Sequence, residues 1–179
     1  MTKLSSDVFA PIASFYTRGE SPLFEEIAGQ ELPEPYRNLL NHSRDMTPTL
    51  EDHHSTVIHL NIMKSYRDRE IYHRQVVLLS EEGEPVEFGA IAIHLTAFQD
   101  TPRQRILEGY EPLGAILEEF DIEHECKPVA FFRTQSDLAM MEAFELTDGT
   151  TVYGRCTELL EKSGIPLAEV VEVLPPARL

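Results

Sequence analysis

The stretch Ile71-Tyr72-His73-Arg74-Gln75-Val76-Val77-Leu78-Leu79, followed by Ser80-Glu81-Glu82-Gly83-Glu84-Pro85 and then Val86-Glu87-Phe88-Gly89-Ala90-Ile91-Ala92-Ile93-His94-Leu95, decides the fold class. Two runs rich in β-branched and apolar residues flank a short polar segment with Gly and Pro, the pattern of two strands joined by a hairpin. Just upstream, from Ser55, the residues Thr56, Ile58, Leu60 and Ile62 fall on one parity and Val57, His59, Asn61 and Met63 on the other, as in a strand with one face on a core. Three consecutive antiparallel strands follow. A second hairpin is expected near the C-terminus, over residues 151–160 and 166–174, joined at Glu161-Lys162-Ser163-Gly164.

Helical spacing surrounds these strands. Thr47-Pro48 starts a helix that runs to about His54, because proline at the first helical position lacks only an N–H that would be unpaired anyway. Thr101-Pro102 opens a short helix, and Glu111-Pro112 opens another carrying Leu113, Ile116, Leu117 and Phe120 on one side, with Gly109-Tyr110 as the break. A strand over residues 129–133 and a helical patch over 137–144 complete the reading; residues 1–38, broken by Pro11, Pro22, Pro33 and Pro35, read as short helices and loops. Hairpins with helices inserted between them predict an α+β fold: one domain over residues 1–179, an antiparallel sheet with flanking helices, covered on one side.

Composition bounds the function. The 179 residues are 42% hydrophobic and 26% charged, enough for one core that needs neither disulfide nor metal, and the two cysteines, Cys126 and Cys156, imply no disulfide framework. A reducing cytoplasm is the expected home. Thirty-one acidic against 15 basic residues give a formal net charge of -16, which argues against nucleic acid or an anionic membrane as partner. The same field repels a small anion unless a local cation overrides it, so the few arginines are the residues to watch.

Four positions could carry chemistry. Glu172 shares its strand face with Ala168, Val170 and Leu174, so either an ionisable group sits in an apolar stripe, where burial would raise its pKa, or this is the solvent side of a C-terminal edge strand. Arg74 shares a face with Tyr72, Val76 and Leu78; it either lies inside and requires an anionic partner, or sits exposed and pairs with Asp68 or Glu70. Leu113 and Met46 matter through the main chain, since helix starts carry unpaired N–H groups that can receive a carboxylate. The seven histidines match no zinc signature, and neither a phosphate loop nor a Gly-x-Ser-x-Gly elbow occurs.

In order and spacing, four windows resemble the chorismate lyase (chorismate pyruvate-lyase) family: Asp45-Met46-Thr47-Pro48-Thr49-Leu50-Glu51; Tyr72-His73-Arg74-Gln75-Val76 with Gly83-Glu84-Pro85 and Phe88-Gly89; Glu111-Pro112-Leu113-Gly114; and Gly164-Ile165-Pro166 leading to Glu172-Val173-Leu174-Pro175. They span roughly residues 39 to 175. Residues 118–150 match poorly, residues 1–38 hardly at all, and Ala90 stands where the family often has a basic residue.

What the resemblance implies is a metal-independent carbon–oxygen lyase that eliminates pyruvate from chorismate to give 4-hydroxybenzoate, as in aromatic or ubiquinone biosynthesis. No metal or organic cofactor takes part. The resemblance makes Arg74 and Glu172 the catalytic residues, Arg74 gripping the ring carboxylate and Glu172 facing the ring hydroxyl to assist proton transfer, with the main chain of Met46 and Leu113 completing the pocket. Chorismate is then the small-molecule partner, with no nucleic acid and no membrane. A rival reading keeps the fold without the chemistry. The fold also resembles ligand-sensing domains of some bacterial transcription regulators, so a non-catalytic domain binding a hydroxybenzoate-like molecule is the alternative, one that would need a partner subunit to reach DNA because no basic helix-turn-helix is evident. A histidine-based metal hydrolase is the third.

Overall fold

A computed structural model describes residues 8–177. Its centre is one seven-stranded, wholly antiparallel sheet: β1 (Glu25–Ile27), β2 (Ile58–Asp68), β3 (Ile71–Ser80), β4 (Pro85–His94), β5 (His124–Gln135), β6 (Thr151–Glu161) and β7 (Pro166–Leu174), in spatial order β1-β5-β6-β7-β4-β3-β2. The two expected hairpins are β3–β4 and β6–β7. Their turns each place a glycine at positive φ, Gly83 at 83° and Gly164 at 85°, where a side chain would be strained. The fold is α+β, as the alternation of hairpins and helical segments implies.

Six short helices flank the sheet: α1 (Ala10–Ala13), α2 (Tyr36–Leu40), α3 (Met46–His54), α4 (Asp100–Glu108), α5 (Leu113–Glu119) and α6 (Leu138–Ala143). Strand parity divides the buried side chains. One face carries Tyr72, Ile91, Ile93 and Ala168 beneath Ile106, Leu113, Ile116 and Leu117 of α4 and α5, and continues through Leu78 and Leu174 to Leu40 and Leu50 of α2 and α3. The opposite face packs Phe88, Phe132, Val171 and Val173 against Ile12 of α1 and Met140 and Ala143 of α6. Helices therefore cover both faces, not one. The N-terminal segment supplies part of the second cover through Phe9, which stacks on Phe24 and meets the edge of Phe132.

Other expectations shift for local reasons. α3 ends at Ser55, which takes a left-handed conformation, so β2 starts three residues beyond the point where alternation begins. β5 is twelve residues long because Pro128, which interrupts the sequence pattern, sits at a register irregularity between Pro128 and Ala130, where a missing N–H is tolerated. β1, three residues long, was not expected. Pro112 caps α5 without being its first residue; Leu113 is. β7 is hydrogen-bonded on both sides, by β4 and β6, so it is not an edge strand. Among the described residues, no helix is long and apolar enough to cross a membrane.

Candidate functional site

Arg74, Glu172, Met46 and Leu113 line one cavity between the sheet and the first turns of α3 and α5. Two strand pairings build its floor. Arg74 on β3 lies opposite Ile91 on β4, and Gly89, two residues back on β4, lies opposite Glu172 on β7, so Arg74 and Glu172 project from the same face two strands apart. Val76, Leu78, Ile91, Val170 and Leu159 make the walls largely apolar. The roof is where α3 and α5 begin side by side, close enough that a Cβ on Gly114 would come within 3.1 Å of Thr47 Oγ1. Neither helix start is capped by a side chain, and Met46, Thr47, Leu113 and Gly114 of the first turns line the cavity. The space measures about 70 Å³, room for about five waters.

Arg74 is 1% exposed, and its Nε and Nη1 atoms have no hydrogen-bond partner. It pairs with neither Asp68 nor Glu70; Glu70 is taken by Arg67 at 3.2 Å. Burial without a counter-ion pulls the guanidinium down to about 10, because removing it from water penalises the charged form. A buried cation with free N–H groups is what an incoming carboxylate would satisfy.

Glu172, 6% exposed, is engaged differently. Its Oε2 accepts from Arg155 Nε at 2.5 Å and from Thr157 Oγ1 at 3.2 Å. Arg155 lies opposite Glu172 on β6 and is itself fully buried. Its remaining N–H groups donate to the carbonyls of Leu40, His42 and Arg44 at 3.2, 2.9 and 3.0 Å. The pair thus ties the connection between α2 and α3 to the sheet and fixes where Met46 begins α3. Glu169, three residues before Glu172, lies on the other face, 2.8 Å from His94. Beside the cavity, Asp45 caps α3 in position only, its Oδ2 lying 2.7 Å from His124 Nε2; this bond holds the imidazole above its ordinary value.

Sequence reasoning missed two groups, one lining the cavity and one bonded to Glu172 behind it. Glu87 on β4 lines the same space, is 4% exposed, and leaves Oε2 without a partner. Burial, then the nearby Glu172 carboxylate, push it well above the usual carboxylate range, partly offset by Arg155. Arg155 is the other. Both were legible by the parity argument applied to Arg74: Glu87 alternates with Gly89, Ile91 and Ile93, and Arg155 with Thr157 and Leu159. Among the described residues no group of three or more His, Cys, Asp or Glu side chains is arranged to hold a metal ion, and both cysteines are buried and free.

The chain matches no protein-family model and no curated protein sequence. Solved structures do share its fold. It is similar to PhnF from Mycobacterium smegmatis, with a TM-score of 0.56 at 8% identity over 76% of this chain and 65% of that one. A protein from Streptomyces coelicolor, provisionally described as a transcriptional regulator, gives 0.52 at 10% identity over 69% of this chain and 90% of that one. YydK from Bacillus subtilis, described as a possible transcriptional regulator, gives 0.50 at 10% identity over 66% and 57%. The chain spans under two thirds of the length of YydK and of PhnF.

These likenesses correct the expectation of a chorismate lyase. The two of these neighbours whose names state a role are described as transcriptional regulators, and none of the three is described as a lyase. The site gives the physical counterpart: the carboxylate expected to move a proton at the ring, Glu172, is held by Arg155 and Thr157 as one end of a structural pair. The expectation of an enzyme that eliminates pyruvate is thereby corrected, while Arg74, Glu172, Met46 and Leu113 still line one cavity.

Proposed function

We propose that this chain is a non-catalytic binding domain for a small cyclic carboxylate of the hydroxybenzoate type, serving as the sensor of a regulatory protein. The observation that carries the reading is the buried guanidinium of Arg74, with Nε and Nη1 unpartnered at the wall of an apolar cavity. Burying such a charge is costly unless an anion completes it, and a planar carboxylate matches the fork in two parallel hydrogen bonds. The surrounding aliphatic side chains suit a ring, and the main chain at Met46 and Leu113 lies where helix starts would favour negative charge. The net charge of -16 makes the surface itself a poor DNA ligand, so contact with nucleic acid would come from outside these residues.

Calorimetric titration with 4-hydroxybenzoate and with its neutral amide, 4-hydroxybenzamide, tests the reading. The acid is expected to bind at least about tenfold more tightly, since only it supplies the charge that Arg74 lacks. Equal affinities would overturn the assignment to Arg74. Incubation with chorismate is expected to release no pyruvate, and steady release would overturn the non-catalytic reading.

A further inference from the structure

Glu87 has no role in the resemblance, yet it is the least satisfied acid of the cavity. It projects from β4 on the same face as Gly89 and Ile91, and thus as Arg74 and Glu172. Its Oε2 is buried without a partner. Glu172 differs: Arg155 and Thr157 both bond to its Oε2. Arg155 bonds to Glu172 and not to Glu87, so of the two carboxyls in this space Glu87 is the one placed to keep a proton. Burial and the Glu172 charge act on Glu87 in that same direction. A protonated carboxyl is one O–H donor and one carbonyl acceptor.

Resting on the binding reading above, we propose that Glu87 is the residue that selects the ligand, by reading a hydroxyl at the end of the ring remote from the carboxylate that Arg74 holds. That hydroxyl accepts from the acid O–H of Glu87 and donates to the ionised Glu172, whose Oε1 is left outside the bonds to Arg155 and Thr157. A ring bearing hydrogen there leaves both acids unsatisfied, and a methoxy group can accept but not donate.

The experiment measures affinities of benzoate, 4-hydroxybenzoate and 4-methoxybenzoate for the wild type, Glu87→Gln and Glu87→Leu. The wild type is expected to prefer 4-hydroxybenzoate over benzoate by tenfold to hundredfold, on the order of one buried hydrogen bond or two. Glu87→Gln, a neutral side chain with both a donor and an acceptor, should keep most of that preference, and Glu87→Leu should abolish it while still binding benzoate. If the wild type binds benzoate as tightly as 4-hydroxybenzoate, or Glu87→Leu keeps the preference, the role of Glu87 is overturned and the carboxylate site at Arg74 stands. If the wild type binds none of the three, the binding reading fails and this inference with it. Thermal unfolding without ligand supplies an independent readout: Glu87→Leu should melt at the same temperature as the wild type or higher, because it removes an unpartnered buried acid. A lower midpoint would show a structural role and overturn the proposal.

Discussion

Arg155 donates from Nε to Oε2 of Glu172 across 2.5 Å, strand to neighbouring strand, with the guanidinium fully buried. The pair gives Glu172 a buried cationic partner, whereas Glu87, which burial pushes well above the usual carboxylate range, leaves Oε2 without one. Because Arg155 also satisfies three carbonyls between α2 and α3, it connects the sheet to the helix start above it.

Removing one partner of such a pair strands a buried charge, which costs far more than the pair itself contributes. Arg155→Met is therefore expected to lower unfolding stability by about 3–5 kcal/mol. The double variant Arg155→Met with Glu172→Met should recover a good part of that loss, since no charge remains stranded. Urea denaturation of both variants checks this; a single variant within about 1 kcal/mol of the wild type would mean that the pair is solvated in solution.

Arg74 predicts the opposite sign. Its burial is not compensated by any carboxylate within the protein, so Arg74→Met should leave unfolding stability unchanged or raise it by about 1 kcal/mol or more. The same variant should lose affinity for 4-hydroxybenzoate by about a hundredfold, the worth of a bidentate charged contact. Lower stability with unchanged affinity would make Arg74 a structural residue.

Much of this arrangement was legible in the sequence. The β3–β4 and β6–β7 hairpins follow from alternation and from Gly83 and Gly164, and Thr47-Pro48 and Thr101-Pro102 locate α3 and α4, which begin two residues before each proline, at Met46 and Asp100. Parity also places Arg74 and Glu172 each on a definite strand face. What parity within one strand could not supply is the order of strands: that β7 lies between β4 and β6, and so brings Glu172 under Gly89 and beside Arg155, is long-range pairing. The missed length of β5 has the same origin, since Pro128 reads as a break until its partner strand shows an irregularity there. Glu87 was legible by the same parity, as a lone charge in an otherwise apolar run that shares a face with Gly89, Ile91 and Ile93.

Glu87 gives stability a pH dependence. A carboxyl whose folded value lies above its ordinary 4.5 favours the folded state fully below 4.5, and this contribution is lost as pH rises through the folded value. Glu87→Gln carries no such term. The stability of Glu87→Gln relative to the wild type should thus be flat below 4.5 and rise in favour of the variant above it, as the unfolded wild type ionises while the folded one holds its proton. Parallel stability curves for the two proteins across that range would show that Glu87 is ionised in the fold.

Gly154 sits on β6 beside Arg155, where a Cβ would overlap both the Glu172 carbonyl oxygen and the Phe132 ring. The first of these is backbone in a central strand and cannot swing away, so the strands must separate locally. Gly154→Ala is expected to destabilise the fold by about 2 kcal/mol, the usual cost of overpacking. By moving the backbone of Glu172 it should also weaken 4-hydroxybenzoate binding, although residue 154 does not line the cavity. Gly149→Ala is the control, because its Cβ would meet only the Ser136 carbonyl at 3.7 Å, an ordinary contact. Denaturation midpoints that fall equally for both variants would attribute the loss to glycine replacement in general and not to the close approach of β6 and β7.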